Sequence, residues 1–291
     1  MASNESTIRY SGNQDSEFKN SIETTYQFGC EYEFYISEEH NFEQVIFEIT
    51  QSIYEISDAD MLIDFSYLPI DEDKNYCFQI KSDGSLKSNG VEITIPITSR
   101  IGFVRYLERI CNLIKQYGYT NRDTGLHIHI STVDSNGINF NFYKYMLLCD
   151  EEQLLSSWET REGYSHNVMD ILSQNTKLEA KKIKTDKGTI WNLEKILPNH
   201  IEIKSIGGID YHLDTQRLIH EFNLYADLFQ ETLEKDSEKH LALYKKHKAH
   251  INSVSSEKQK QFMVAIEDAG IIEKRGVDDP SSSSSKKHWK P

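Results

Sequence analysis

The chain has 291 residues, of which 38% are hydrophobic and 27% charged, and its formal net charge is −14. That is enough apolar material for one large packed domain or two small ones, and the acidic balance argues against a nucleic-acid binder held by a basic face. No apolar run approaches the roughly 20 residues that span a bilayer, and the polar first twenty residues have no leader-like apolar stretch. The expectation is a cytoplasmic protein with neither nucleic acid nor membrane as partner.

The four cysteines, Cys30, Cys77, Cys111 and Cys149, are widely spaced and form no Cys-x-x-Cys pair. The first three lie in apolar-patterned segments and read as reduced core thiols.

In chain order, residues 1–20 are polar and expected to be disordered. A strand is expected over about 25–36. It contains Phe28-Gly29-Cys30-Glu31-Tyr32-Glu33-Phe34, which sends Glu31 and Glu33 to one face and Cys30, Tyr32 and Phe34 to the other. Two carboxylates so close repel each other. They persist if solvated, if one is protonated, or if a divalent cation sits between them. Asn41-Phe42-Glu43-Gln44 has the form of a capping box, opening a helix to about Ser57. The Asp-rich stretch that follows (Asp58, Asp60, Asp64, Asp71, Asp73) reads as a solvated loop without EF-hand spacing.

Residues 76–82 alternate as a strand, Asp83-Gly84 and Asn89-Gly90 make turns, and Val91-Glu92-Ile93-Thr94-Ile95 is a strand ended by Pro96. Thr98 or Ser99 caps a helix through Tyr117, which stops at Gly118. Thr124 to Ser131 alternates again, with His127, His129 and Ser131 opposite Leu126, Ile128 and Ile130. A helix is expected over 139–157, then a loop from Arg161 and a Lys-rich stretch. His200-Ile201-Glu202-Ile203-Lys204 is a strand with Glu202 and Lys204 on one face. A glycine turn follows, and Asp214 caps a helix to about Lys235. Two further helices are expected, at about 237–250 and 256–269, before a Ser/Lys tail.

Strands with one aliphatic and one polar face, joined by turns and single helices, predict an α+β fold. Its sheet is mainly antiparallel, with helices on the apolar face. The concave polar face would gather Glu31, Glu33, Glu92, His127, His129, Glu202 and Lys204. Four carboxylates and one ammonium give that set a formal charge of −3. Two divalent cations would bring it to +1 and let a nucleotide triphosphate dock. Such oxygen-rich donors suit Mg²⁺ or Mn²⁺ better than zinc. Each piece also has an ordinary reading. Glu-x-Glu is commonly a wet strand face, and Glu202-x-Lys204 a surface pair worth under about 1 kcal/mol. A one-sided sheet alone would place all of them together.

Five motifs in order carry a resemblance: Gly29-Cys-Glu31-Tyr-Glu33-Phe34, Asp83-Gly84-Ser85-Leu86, Glu92-Ile-Thr-Ile-Pro96, Thr124-Gly125-Leu126-His127-Ile-His129-Ile130 and Ile201-Glu202-Ile-Lys204. Together they resemble the amidoligase family, carboxylate–amine ligases of the glutamine synthetase superfamily. Arg161 with Tyr164, Trp191-Asn192-Leu193 and Gly207-Gly208-Ile209-Asp210-Tyr211 follow the same order. The resemblance spans about residues 25–230. It implies a glutamine synthetase/guanidino kinase-like catalytic domain over 21–235, leaving a helical extension over 236–275 and a disordered tail over 276–291.

The resemblance further implies ATP and two ions of Mg²⁺ or Mn²⁺. Glu31, His127 and Glu202 would hold one metal; Glu33 and Glu92 would hold the other. His129, Lys204 and Arg161 would serve catalysis and phosphate binding. Lys204 stands where the family usually has Arg, and it lacks the planar fork of a guanidinium. The implied reaction joins a carboxylate and an amine, as small molecules or peptides, through an acyl phosphate. Other readings stay open: a phosphotransferase or a non-catalytic nucleotide- or peptide-binding module on the same fold, or a His-x-His metal hydrolase or oxygenase with a further donor such as His200. The pattern specifies no oligomeric state.

Overall fold

The chain is seen in a computed structural model that describes residues 8–21, 25–65, 76–132, 145, 149, 158, 189–192 and 200–233. It is a mixed α/β structure built on an open, mostly antiparallel sheet. The strands are β1 (Ile8–Tyr10), β2 (Tyr26–Ile36), β3 (Met61–Asp64), β4 (Phe78–Lys81), β5 (Gly90–Thr94), β6 (Gly118–Tyr119), β7 (Gly125–Thr132) and β8 (His200–Gly207). Their order across the sheet is β1-β3-β4-β5-β2-β7-β8, with β6 beside the end of β2. Every pairing is antiparallel except β3 with β4.

Among the described residues three long helices accompany the sheet: α1 (Phe42–Ile56), α2 (Arg100–Tyr117) and α3 (Thr215–Leu233). Their starts follow the expected caps. The Asn41 side chain accepts the Gln44 N–H at 2.9 Å, Ser99 accepts that of Gly102 at 3.2 Å, and Asp214 accepts that of Arg217 at 3.1 Å. Gln44 does not reach back to complete the box; its amide donates to Glu48 at 2.6 Å.

The apolar strand face is the core. Cys30, Tyr32, Phe34, Ile93, Ile128 and Ile130 pack with Phe103, Tyr106, Ile110 and Ile114 of α2 and Phe222 and Phe229 of α3, all buried. Phe103 and Phe222 stack with ring centroids 3.7 Å apart, fixing α2 against α3. Such a pair contributes roughly 0.5–1.5 kcal/mol beyond area burial. Arg100 closes the same contact, donating to Asn223 and Asp227 at 2.7 Å each. All four cysteines are buried with free thiols. Among the described residues no helix is long and apolar enough to cross a membrane.

Two expectations need correction. Residues 8–20, expected to be disordered, contribute strand β1 and a segment that packs on the domain. Phe18 meets Tyr106 edge-on at 5.4 Å, and Ser16 is buried. The Asp-rich connection is not simply a solvated loop. Asp60 accepts the Gly12 N–H at 3.0 Å, Asp58 accepts that of Asn20 at 2.7 Å, and Met61–Asp64 is a buried strand. The acidic side chains satisfy the backbone of the N-terminal segment, a long-range pairing that local polarity does not reveal. The 139–157 helix (Tyr145 and Cys149 apart), Arg161, Tyr164, the Lys-rich stretch, the 237–250 and 256–269 helices and the tail lie outside the described residues.

Gly118 ends α2 by donating its N–H to Ile114 O, then pairs directly with β2. A Cβ there would sit 2.4 Å from the Tyr35 carbonyl oxygen, a backbone atom that cannot swing aside. Gly118→Ala is expected to destabilise the fold by about 1–3 kcal/mol, measured by urea denaturation; unchanged stability would show that β6 can separate from β2 at no cost.

Candidate functional site: an acidic floor on the polar sheet face

Strand β2 is central, and its register assembles the site. Glu31 lies opposite His127 of β7 on one side and Thr94 of β5 on the other, while Glu33 lies opposite Glu92 of β5. One strand further out, Glu202 of β8 faces His129, and Lys81 of β4 faces Glu92. A register shift in the β7–β8 pair sets two residues of β8, Lys204 and Ser205, against His127, and such irregularities are common beside functional sites. The polar face therefore runs over five strands, because Gln79 and Lys81 of β4 join it.

The donor atoms fall into two groups. One oxygen of Glu31, one ring nitrogen of His127 and one oxygen of Glu202 lie within 4.8 Å of one another, and so do oxygens of Glu33, Asp83 and Glu92. His127 stands between the groups. Its Nδ1 is 2.9 Å from Glu31 Oε2 and 3.8 Å from Glu202 Oε1, and its Nε2 is 3.7 Å from Glu33 Oε1.

Four of the carboxylates are each anchored by a donor outside their own group. Glu33 Oε2 accepts the Gly125 N–H at 2.7 Å. Glu202 Oε2 accepts from the Asn192 amide at 2.7 Å. Asp83 Oδ1 accepts the Ser85 N–H at 2.6 Å and the Ser85 hydroxyl. Glu92 Oε1 accepts from Thr94 Oγ1 at 2.9 Å and lies 2.8 Å from Lys81 Nζ. Holding one oxygen of a carboxylate fixes the direction of the other.

The backbone beneath is equally constrained. Gly207 and Gly208 adopt φ of 147° and 89°, conformations that side chains disfavour. The turn they allow lets Gly208 N–H reach Thr124 O at 2.8 Å and brings the Tyr211 hydroxyl to Glu33 O at 2.9 Å. On the far edge of β8, Lys204 N–H donates to Ile190 O at 2.7 Å and Asn192 N–H to Glu202 O at 3.0 Å. These bonds hold Asn192 where its amide meets Glu202.

Charge is crowded here. Glu33, Glu92, Glu202 and His127 are all buried. Burial and the neighbouring Glu31 push Glu92 up to about 7, against the pull of Lys81. Burial also disfavours ionised Glu31, but the bond with His127 and the nearby His129 outweigh it and hold that carboxyl well below the usual range. Burial favours neutral His127, yet Glu31 and Glu33 overcome this and raise its pKa. Lys81 thus brings positive charge to the Glu92 side of the floor, and Glu31 and Glu33 draw His127 toward its protonated form.

No protein-family model and no curated protein matches this chain.

The donor set speaks for itself. Octahedral ligands about 2.1 Å from a small divalent cation stand about 3.0 to 4.2 Å apart, close to the 2.9 and 3.8 Å that separate His127 Nδ1 from Glu31 Oε2 and Glu202 Oε1. The second group offers only oxygen, and the first adds one imidazole, a pattern suited to Mg²⁺ or Mn²⁺. Of the residues expected at the site, Glu31, Glu33, Glu92, His127 and Glu202 come together, and His129 adjoins Glu31, its Nε2 3.3 Å from Glu31 Oε1. Lys204 is half-buried on the same face, its charge close enough to oppose protonation of His127. Arg161 lies outside the described residues. Sequence reasoning missed Asp83, Lys81 and Asn192 as members. Lys81 shares the parity of Gln79 on an alternating strand, which was a usable signal; Asp83 was read as a turn residue and as part of the Asp83-Gly84-Ser85-Leu86 motif, without a role at the site.

The raised Glu92 gives a pH test in chelator-treated protein. A carboxyl whose folded pKa lies above its unfolded one stabilises the fold below the unfolded value near 4.5, and that stability is lost as pH rises through about 7. Urea denaturation of wild type should therefore lose stability relative to Glu92→Gln across this window; a constant difference would mean that Glu92 is not strained by its neighbours.

Proposed function

We propose that this chain is an ATP-dependent carboxylate–amine ligase of the amidoligase type, with a glutamine synthetase/guanidino kinase-like catalytic fold, acting in the cytoplasm. One observation carries the reading: the two glutamates of Glu31-Tyr32-Glu33 belong to two separate three-residue donor groups, set side by side with His127 between them. A merely solvated strand face has no reason to bury three carboxylates and anchor an oxygen of each by a dedicated donor.

In this reading Glu31, His127 and Glu202 hold one cation and Glu33, Asp83 and Glu92 the other. Divalent cations bound there would screen the repulsion between triphosphate and carboxylate and stabilise charge during phosphoryl transfer. The protein's own part is to orient. Gly125 and Asn192 aim Glu33 and Glu202, and Lys81 and Thr94 aim Glu92. His129 and Lys204 stand beside the floor as donors to the phosphates or the acid substrate, with Arg161 as a further guanidinium. A carboxylate is a poor electrophile at neutral pH. Transfer of the γ-phosphoryl group to it breaks the β–γ phosphoanhydride bond and makes an acyl phosphate; attack by an amine then forms the amide and releases phosphate. A nucleotide-binding module without turnover is the second reading, favoured by Lys204, whose ammonium cannot grip a phosphate bidentately; a phosphotransferase would stop after the first step.

The test is ADP release from ATP and Mg²⁺ against a library of carboxylates and amines, with products read by mass. An amide whose formation depends on ATP supports the ligase. A phosphorylated acceptor without an amide supports the phosphotransferase, and nucleotide binding without ADP from any acceptor a binding module. Glu31→Ala and Glu202→Ala should each cut turnover by more than about a hundredfold, since losing a direct ligand exceeds the cost of losing an outer partner. Circular dichroism should show both variants folded; wild-type rates in either would remove that residue from the site.

A further inference from the structure

We propose that His129 and His200 form a metal site of a different kind, for a borderline transition ion such as Zn²⁺ or Cu²⁺, at the edge of the acidic floor. The inference stands on geometry and does not depend on the ligase reading. His129 Nδ1 and His200 Nε2 are 3.4 Å apart. A hydrogen bond between imidazoles would bring the nitrogens to about 2.9–3.0 Å, so the pair is long for one. Two nitrogens each about 2.05 Å from a tetrahedral centre stand about 3.3 Å apart. The rings agree: their centroids are 5.4 Å apart, against about 5.2 Å when both nitrogens point in plane at one such ion.

The surroundings favour the same occupant. The two histidines are diagonal neighbours on one face of the β7–β8 pair, His129 opposite Glu202 and His200 opposite Ser131. The other nitrogen of His129, Nε2, lies 3.3 Å from Glu31 Oε1. Nε2 is buried and makes no hydrogen bond, so a carboxylate stands near the second nitrogen, as it commonly does for metal-ligating histidines, without being bonded to it. Both imidazoles are half-buried. Paired imidazoles select zinc, copper or nickel, whereas the carboxylate groups prefer harder ions. An ion on His129 Nδ1 would place the ring proton on Nε2, 3.3 Å from Glu31 Oε1.

The experiment uses the full-length protein in excess Mg²⁺, which occupies oxygen donors, and titrates Zn²⁺ calorimetrically. One Zn²⁺ per chain is expected, with affinity at least about tenfold lower in His200→Asn. Electron paramagnetic resonance with Cu²⁺ should report two nitrogen ligands in wild type and one in His200→Asn. Zn²⁺ affinity unchanged by His200→Asn, a two-nitrogen Cu²⁺ spectrum that survives it, or no Zn²⁺ binding to wild type would each overturn the proposal. His200→Ala provides a second variant should the asparagine perturb β8.

Discussion

The structure depends on how it tolerates mutually repelling carboxylates on one buried face. Taking even one ionised carboxyl out of water is costly unless it is paired. Here Glu31, Glu33, Glu92 and Glu202 share a small region with Asp83 at its border. The protein meets the cost with bonds from outside the groups, Lys81 beside Glu92 among them, and with His127 set between the carboxylates. Glu92, pushed up to about 7, marks where that compensation falls short. A fold that needed only stability would be served better by apolar residues at these positions. The arrangement makes physical sense if external positive charge completes it.

Much of the remaining architecture holds this floor in place. The α2–α3 contact and the aromatic core keep the sheet rigid from its apolar side. The glycine turn after β8 brings Tyr211 under β2 at Glu33, and the short segment around Trp191 brackets β8 so that Asn192 meets Glu202. These supports come from residues distant in sequence. Their bonds reach the carbonyl of Glu33 and the far oxygens of Glu33 and Glu202, leaving the directions toward His127 set by the protein frame.

The alternation of Glu31 and Glu33 with Tyr32, and of His127 and His129 with Ile128, was legible because side chains on a strand repeat every two residues. That periodicity assigned the faces without knowing which strands were neighbours. The caps at Asn41, Ser99 and Asp214 were legible for the same local reason. What stayed hidden was long-range. Ile8–Tyr10 looked too short and polar to be a strand until Asp58 and Asp60 bonded its flanking segment. Asp83 looked like a turn residue because membership of the Glu33 group depends on how β4 and β5 pair. The separation of Glu31 and Glu33 into different groups also depends on strand order, which one-dimensional pattern does not encode.

The most direct measurement of the central claim is a crystal structure with Mn²⁺ and a non-hydrolysable ATP analogue, read by anomalous scattering. Two Mn²⁺ peaks are expected, one within ligand distance of Glu31, His127 and Glu202 and the other of Glu33, Asp83 and Glu92, with the triphosphate spanning them. No peak at either group, or nucleotide bound away from the acidic floor, would contradict it.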